Sequence, residues 1–439
     1  MELYGCGRND DGYLGEPRSC TRHEVHWTHE CEHNNYGEDM PYCPLWATKL
    51  KNVLTATKSM RILKNSESDP IFLEVDGHLQ GLGRGTRKDI SCVELAQKPE
   101  DIMQTILLSG KSEMAFCFAD GSLQTLDKHA DNTLFTTYHK PYKGREILHI
   151  AARSVKTYNP MLVSGAIAIV PHANPRTILS FEAWEPFLSW LRNDPGAAEP
   201  VYSAELPSPI IQMTNEFIAV TADGQVFNWG KKTPDQPPPP PEDNEDFEDE
   251  EFSATIFGGS VSNYPSRSPE RRDYNPTKVP LPAISKVASG ICYNSAISNS
   301  GRLYLWGHRS KSWPEVKDVN PPDAPAYEPA NIIDNTGKPL KIVDAATGWR
   351  HVVALAEDGS LWSVGDGLMG ELGIGIRQFG LCTKDGVIDM LENETDEEFA
   401  EEWQRMDVDG LLLDDRWKWC KVFCDSDCTF VMAMKKKTS

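Results

Sequence analysis

The sequence predicts an all-β fold: a seven-bladed β-propeller closed by N- and C-terminal strands, with loop insertions and a short helix. Three observations carry this expectation. A hairpin-like segment recurs, its glycines keep fixed spacings, and the two chain ends hold complementary half-repeats. The segment is clearest at residues 219–230, 296–307 and 354–365, each a short apolar run, a turn pair, a second run and a final glycine. Asp-Gly or Ser-Gly between apolar runs marks a tight hairpin, because glycine accepts the positive φ that such turns require.

The spacing is regular. Gly224 and Gly230, Gly301 and Gly307, and Gly359 and Gly365 are each six apart. Gly290, Gly348 and Gly110 precede Gly301, Gly359 and Gly121 by eleven. Asp76-Gly77 with Gly83, and Asp120-Gly121 with Asp127 in the final glycine position, fit the same template. A further degenerate copy fits between Gly121 and Gly224, with Ser164 to Val170 as one of its strands. Residues 3–7 form the back half of a repeat. Its front half lies at the other end, where residues 428–434 align with 350–356. Pairing the termini would close the ring and remove exposed sheet edges. Seven repeats of roughly 50 residues result once insertions are set aside.

The 439 residues therefore resolve into one propeller domain, 1–439, although length alone suggests two or three domains. With 44 Lys+Arg against 65 Asp+Glu, the net charge is −21. Such a chain repels polyanions, which argues against direct nucleic-acid binding and against anionic membrane surfaces. Its longest apolar stretch, Leu162 to Val170, is under half of the roughly 20 residues a membrane helix needs. The first seven residues lack the basic and apolar regions of a signal peptide. Eleven cysteines without framework spacing imply reduced thiols, and so a cytoplasmic and/or nuclear protein.

Residues 348–375, Gly-Trp-Arg-His-Val-Val-Ala-Leu-Ala-Glu-Asp-Gly-Ser-Leu-Trp-Ser-Val-Gly and onward to Gly375, resemble the repeat of the regulator-of-chromosome-condensation propellers. So does the opening Leu3-Tyr-Gly-Cys-Gly-Arg-Asn-Asp-Asp-Gly-Tyr-Leu-Gly15. WD-repeat propellers fit less well, since no Trp-Asp dipeptide recurs. The resemblance covers about two-thirds of the chain, with no match around 130–205. The family's histidine, four positions into each copy, survives as His351; Tyr293, Glu113, Glu216, Asp69 and Thr429 take the equivalent places.

Three stretches leave the template. Within the insertion at 16–46, residues 20–43 hold four of the eleven His and three of the eleven Cys. Cys20, His23, His29, Cys31, His33 and Cys43 are candidate zinc ligands in imperfect versions of the usual pair spacing. The leading alternative is a surface loop rich in His by chance, or one ordered by packing of Trp27, Tyr36 and Trp46. The second stretch, 232–280, is Pro-rich and acidic. A polyproline run, Pro237 to Pro241, leads into 242–252, where eight of eleven residues are acidic. That composition predicts disorder, with Phe247 and Phe252 as candidate anchors for a basic partner, or else a purely solubilising loop. Ser268-Pro269 adds a candidate phosphorylation site. The third, 383–418, predicts an acidic helical insertion. Thr395 and Glu398 form a capping-box pattern, and Phe399 and Trp403 share a helical face. That face either covers the propeller or binds a partner.

Catalytic motifs are missing. Gly81-Leu-Gly-Arg-Gly85 lacks the following helix that a phosphate loop needs. No Gly-x-Ser-x-Gly, His-Glu-x-x-His or Cys-x-x-Cys occurs. Asp76, Asp120, Asp223 and Asp358 are turn residues, not catalytic carboxylates. The expectation is therefore a protein without catalytic residues or bound cofactor, unless zinc occupies the 20–43 loop.

The resemblance implies a protein partner held by one propeller face or by loops protruding from it. Family members include guanine-nucleotide exchange factors for small GTPases and adapters in chromatin or ubiquitin pathways. Others partner the small zinc protein that serves tRNA modification and diphthamide synthesis. A ring closed at its termini implies a stand-alone member, acting as a monomer or heterodimer. The leading expectation is an interaction scaffold or regulatory subunit whose acidic loops dock a basic or metal-bearing partner. Nucleotide exchange on a small GTPase is the alternative, and metal binding through the 20–43 loop a weaker one.

Overall fold

The computed structural model describes residues 1–7, 47–63, 71–82, 94–107, 112–128, 134–153, 166–214, 217–229, 231–232, 272–273, 275–290, 293–307, 329–334, 336–348, 351–366, 372–373, 399–406, 408, 411, 416–425 and 428–436. They form seven antiparallel sheets of three or four strands and one two-stranded ribbon.

In chain order, β1 (Glu2–Gly7) and β2 (Ala47–Thr55) begin the closing blade. β3 (Met60–Ile62), β4 (Ile71–Val75) and β5 (His78–Leu82) form blade 2. Blade 3 has β6 (Ile102–Leu107), β7 (Ser112–Phe118), β8 (Leu123–Lys128) and β9 (Leu134–His139). Blade 4 has β10 (Ile147–Arg153), β11 (Ala166–Pro171), β12 (Thr177–Phe181) and, after helix α1 (Trp184–Arg192), β13 (Tyr202–Glu205). Blade 5 has β14 (Ile210–Met213), β15 (Ile218–Thr221), β16 (Val226–Asn228) and, beyond a ribbon of β17 (Lys231–Lys232) with β18 (Arg272–Asp273), β19 (Thr277–Val279). β20 (Ile284–Ser289), β21 (Tyr293–Ser298) and β22 (Leu303–Gly307) form blade 6. Blade 7 has β23 (Ile342–Thr347), β24 (His351–Ala356), β25 (Leu361–Asp366) and β26 (Phe399–Arg405). β27 (Trp417–Asp425) and β28 (Cys428–Lys435) complete the closing blade, in the order β27-β28-β1-β2.

The predicted closure is present. Six residue pairs join β1 to β28, from Glu2 opposite Ala433 to Gly7 opposite Cys428. Two strands from each terminus share a sheet, so ring opening would break a full ladder. The degenerate copy between Gly121 and Gly224 is blade 4, and the Ser164–Val170 segment contributes β11.

The helix lies elsewhere than the sequence predicts. Phe399–Arg405 is a strand, β26, paired to β25 with Asp366 opposite Phe399 and Trp362 opposite Arg405. A spacing of four is even, so the sequence pattern of Phe399 and Trp403 suits one face of a strand as readily as one face of a helix. The open edge of β25 supplies ladder hydrogen bonds and a core for Trp403, and tertiary pairing overrides the local signal. The described helix is α1, with Trp184, Phe187, Leu188 and Leu191 in the i, i+3, i+4, i+7 pattern. Asn193, at φ 59°, ends it.

The core lies between blades. Ile106, Ala115 and Leu123 of blade 3 meet Ile147, Ile150 and Ile169 of blade 4, and α1 fills the same seam with Phe187 and Leu191. Between blades 6 and 7, Tyr293 and Leu305 meet Ile342, Val352 and Trp403. Each blade thus hides one apolar face against each neighbour, as a ring of twisted sheets requires.

Candidate functional site

Antiparallel order gives the ring two unlike ends. Connections between first and second strands, and between third and fourth, fall at one end. Hairpins joining second to third strands, and the links to the next blade, fall at the other.

The hairpin end is tied down by its own polar groups. Asp76 Oδ1 accepts from the Lys58 and Ser59 backbone N–H, and Oδ2 from the Thr57 N–H and hydroxyl. Those bonds, three of them from backbone amides, hold its carboxyl well below the usual range. Asp120 accepts from Ser122 N and Oγ, and Asp358 from Ser360 N and Oγ. Asp223 binds Thr221 Oγ1 and Gln225 Nε2. The recurrent aspartates are thus turn locks. The turn glycines also link blades. Ile147 N donates to Gly121 O (3.2 Å), Ile284 N to Gly224 O (2.9 Å) and Ile342 N to Gly301 O (2.8 Å). Gly121 has φ +79°, and a Cβ there would lie 2.5 Å from Ile147 N, so the position needs glycine on both counts.

The opposite end carries the long insertions. Residues 8–46 connect β1 to β2, 233–271 connect β17 to β18 between the third and fourth strands of blade 5, and 367–398 connect β25 to β26. All three occupy third-to-fourth connections, so all three leave from the same end.

Around the axis runs a belt that sequence reasoning missed. First strands touch first strands of neighbouring blades along β6, β10 and β14 and along β20, β23 and β27, and so line the axis. In six of the seven, one extra residue breaks the register as a β-bulge: Met103, Leu148, Ile211, Ser285, Val343 and Cys420. The next residue reaches sideways. Gln104 Oε1 accepts from Ile150 N (3.0 Å), and His149 bonds the Ile210 backbone. Gln212 accepts from Val287 N (3.1 Å) and donates to Val287 O (2.7 Å). Asp344, buried, accepts from Lys286 Nζ through Oδ1 and from Val422 N through Oδ2 (3.0 Å). Lys421 occupies the same position in the closing blade. Its ammonium sits 4.8 Å from the Phe423 ring centroid, and no described carboxylate lies within ion-pair distance. Burial, then the Lys286 ammonium, pull its pKa below the usual lysine range, with Asp344 opposing. The belt had a visible signal: a polar residue two after the first isoleucine of the strand, at Gln104, His149, Gln212, Lys286 and Asp344.

A second inter-blade link uses the surviving family histidine. His351 Nε2 lies 3.0 Å from Thr429 Oγ1, the equivalent residue of the closing blade. The ring is fully buried, which pushes its pKa down to about 3 against a weaker opposing effect of the Cys428 backbone. A Cβ on Gly348 would collide with that imidazole.

Of the predicted site residues, Cys20, His23, His29, Cys31, His33, Cys43, Phe247 and Phe252 lie outside the described residues. Phe399 holds a strand position opposite Asp366. Trp403 is buried against Ile332 and Ile342, so its side chain serves the core and is not a free anchor. Among the described residues, no three His, Cys, Asp or Glu gather closely enough to hold a metal ion, and no helix is long and apolar enough to cross a membrane.

No protein-family model matches the chain. The RCC2 homologue of Xenopus laevis is 34% identical over 94 residues, which is 21% of this chain and 17% of that protein. The chain thus matches less than a fifth of that curated relative's length. Among solved structures, human WBSCR16 aligns over 99% of this chain and 100% of its own, with TM-score 0.54 and 13% identity. Prp20p of Saccharomyces cerevisiae aligns over 99% and 91%, with TM-score 0.52 and 12% identity.

Proposed function

The chain is a seven-bladed propeller with the fold of the regulator-of-chromosome-condensation-like proteins. We propose that it is a non-catalytic scaffold that holds a protein partner at the end of the ring from which the long insertions leave. One observation carries the reading. The His/Cys-rich, the Pro-rich acidic and the third, acidic segment all occupy third-to-fourth connections, while the described second-to-third hairpins of the opposite end are short, with self-bonded turns. Rigid elements presenting long loops at one end make a recognition surface. Much of the acidity has the same address, with eight acids in 242–252 and seven between Asp385 and Glu398. Such loops suit a basic or metal-bearing partner through electrostatic steering, and the setting proposed is cytoplasmic or nuclear. Replacing 233–271 by a short Gly-Ser linker is expected to release the partner captured by the full chain from native extract, with unchanged melting temperature. Retention of the same partner would overturn the reading.

Nucleotide exchange is the second reading, favoured by the likeness of fold to Prp20p, whose structure is described with its binding to Gsp1p and histones. A wedge stiff enough to prise nucleotide from a GTPase does not suit a Pro-rich, acidic segment. Nucleotide release from a panel of small GTPases separates the two, and many-fold acceleration would favour exchange.

A further inference from the structure

Two features of the axial wall are not needed to hold the ring together. The first is apolar. Met103, Ile211 and Val343 are 60%, 52% and 45% exposed, among the most open large hydrophobic side chains of the described residues. They occupy the same bulge position on the first strands of blades 3, 5 and 7, one residue from the strand start. They therefore stand at one depth, around the axial mouth at the hairpin end. Exposed apolar groups repeated at one level on alternate blades offer contact points to a partner.

The second feature is charge. Arg61, Lys286 and Lys421 stand on the first strands of blades 2 and 6 and of the closing blade, which flanks blade 2. Asp344 neutralises Lys286, and Arg61 donates to the Pro99 and Glu100 carbonyls with Glu74 4.0 Å away. Lys421 has no such partner. The belt of sideways bonds runs from blade 3 round to the closing blade and stops there, at Lys421. A half-buried ammonium over the Phe423 ring, with no described carboxylate within ion-pair distance, favours an incoming carboxylate. The chain as a whole carries −21, so this is a local reversal of sign.

We propose that the axial mouth at the hairpin end binds an extended partner segment carrying both carboxylates and apolar side chains, with Lys421 receiving a carboxylate and Met103, Ile211 and Val343 receiving the apolar residues. This goes beyond the scaffold reading, because it places a second docking point at the opposite end of the ring. It accepts acidic segments where the insertions suit basic ones. The two surfaces fail independently: replacing 233–271 removes the first and leaves this one.

The test is fluorescence anisotropy with a short labelled peptide alternating Glu and Leu, added to the full chain. Saturable, salt-sensitive binding is expected, weakened about tenfold by Lys421→Met, which keeps the stem over Phe423. Combined Met103→Ser, Ile211→Ser and Val343→Ser should abolish binding without lowering the melting temperature, since all three side chains are exposed. A Gln-Leu peptide should bind weakly and a Glu-Ser peptide not at all. The proposal is overturned by no saturation with the Glu-Leu peptide, by unchanged binding in the serine variant, or by equal binding of Glu-Ser peptide. Equal displacement by a short single-stranded DNA would also overturn it, showing a general polyanion sink.

Discussion

His351 Nε2 stands 3.0 Å from Thr429 Oγ1, joining blade 7 to the closing blade through two residues that hold the same position in their repeats. The imidazole is neutral in the folded ring, its pKa pushed down to about 3 by burial, whereas in the unfolded chain it titrates near 6.5. The unfolded state therefore binds the extra proton first. The stabilisation is complete above the unfolded value and is lost as pH falls toward the folded one. Acidifying from neutrality to about pH 5 should cost about 2 kcal/mol through this group alone. Denaturant titrations at both pH values should show that loss shrinking by a similar amount in His351→Gln. His139 and His149 are shifted the same way by burial, so the variant isolates one contribution among three.

Asp344 closes the axial belt between blades 6, 7 and the closing blade. Alanine there leaves the Val422 N–H unbonded and Lys286 without its counter-charge. Asp344→Ala should lower unfolding stability by about 3 kcal/mol, and Asp344→Asn by less, because the amide oxygen still accepts from Val422. Equal effects of the two would show that the bond to Val422 contributes nothing.

Gly121 and Gly77 share a positive φ but not a neighbour. At Gly77 a Cβ meets open space, while at Gly121 it meets the Ile147 amide of the next blade. Gly77→Ala should cost about 1 kcal/mol and Gly121→Ala about 3 kcal/mol. Melting temperatures of the two variants decide the point, and equal losses would mean that the blade-to-blade contact is not tight.

Trp403→Ala removes a side chain packed against Ile342 and Ile332, and should cost about 3 to 5 kcal/mol. A loss under 1 kcal/mol would instead return Trp403 to the surface role that the sequence suggests.

The glycine spacing was legible because each of its turn glycines sits at a positive φ, a demand that few other residues meet. The closing strands were legible because both halves keep the repeat's apolar pattern. Blade 4 kept its strands but no turn glycine of the template, which explains why only β11 was recognisable. The helical reading failed over Phe399–Arg405 on a shared periodicity, since a spacing of four suits one face of either structure, while Thr395 and Glu398 lie outside the described residues. The axial belt was hidden by the bulges. Strict alternation puts Ile102 and Gln104 on one face, whereas the extra residue at Met103 buries the first and turns the second toward the next blade. The metal-ligand candidates and the phenylalanine anchors of the acidic segment fall outside the described residues.

The central claim is that the partner is held at the insertion end. Hydrogen exchange on the full chain, free and bound to the partner captured from native extract, tests it most directly. Protection is expected where the insertions leave the ring, at β17, β18, the start of β2 and the start of β26. Protection confined to the hairpin turns at Gly77, Gly121, Gly224, Gly301 and Gly359 would contradict the account.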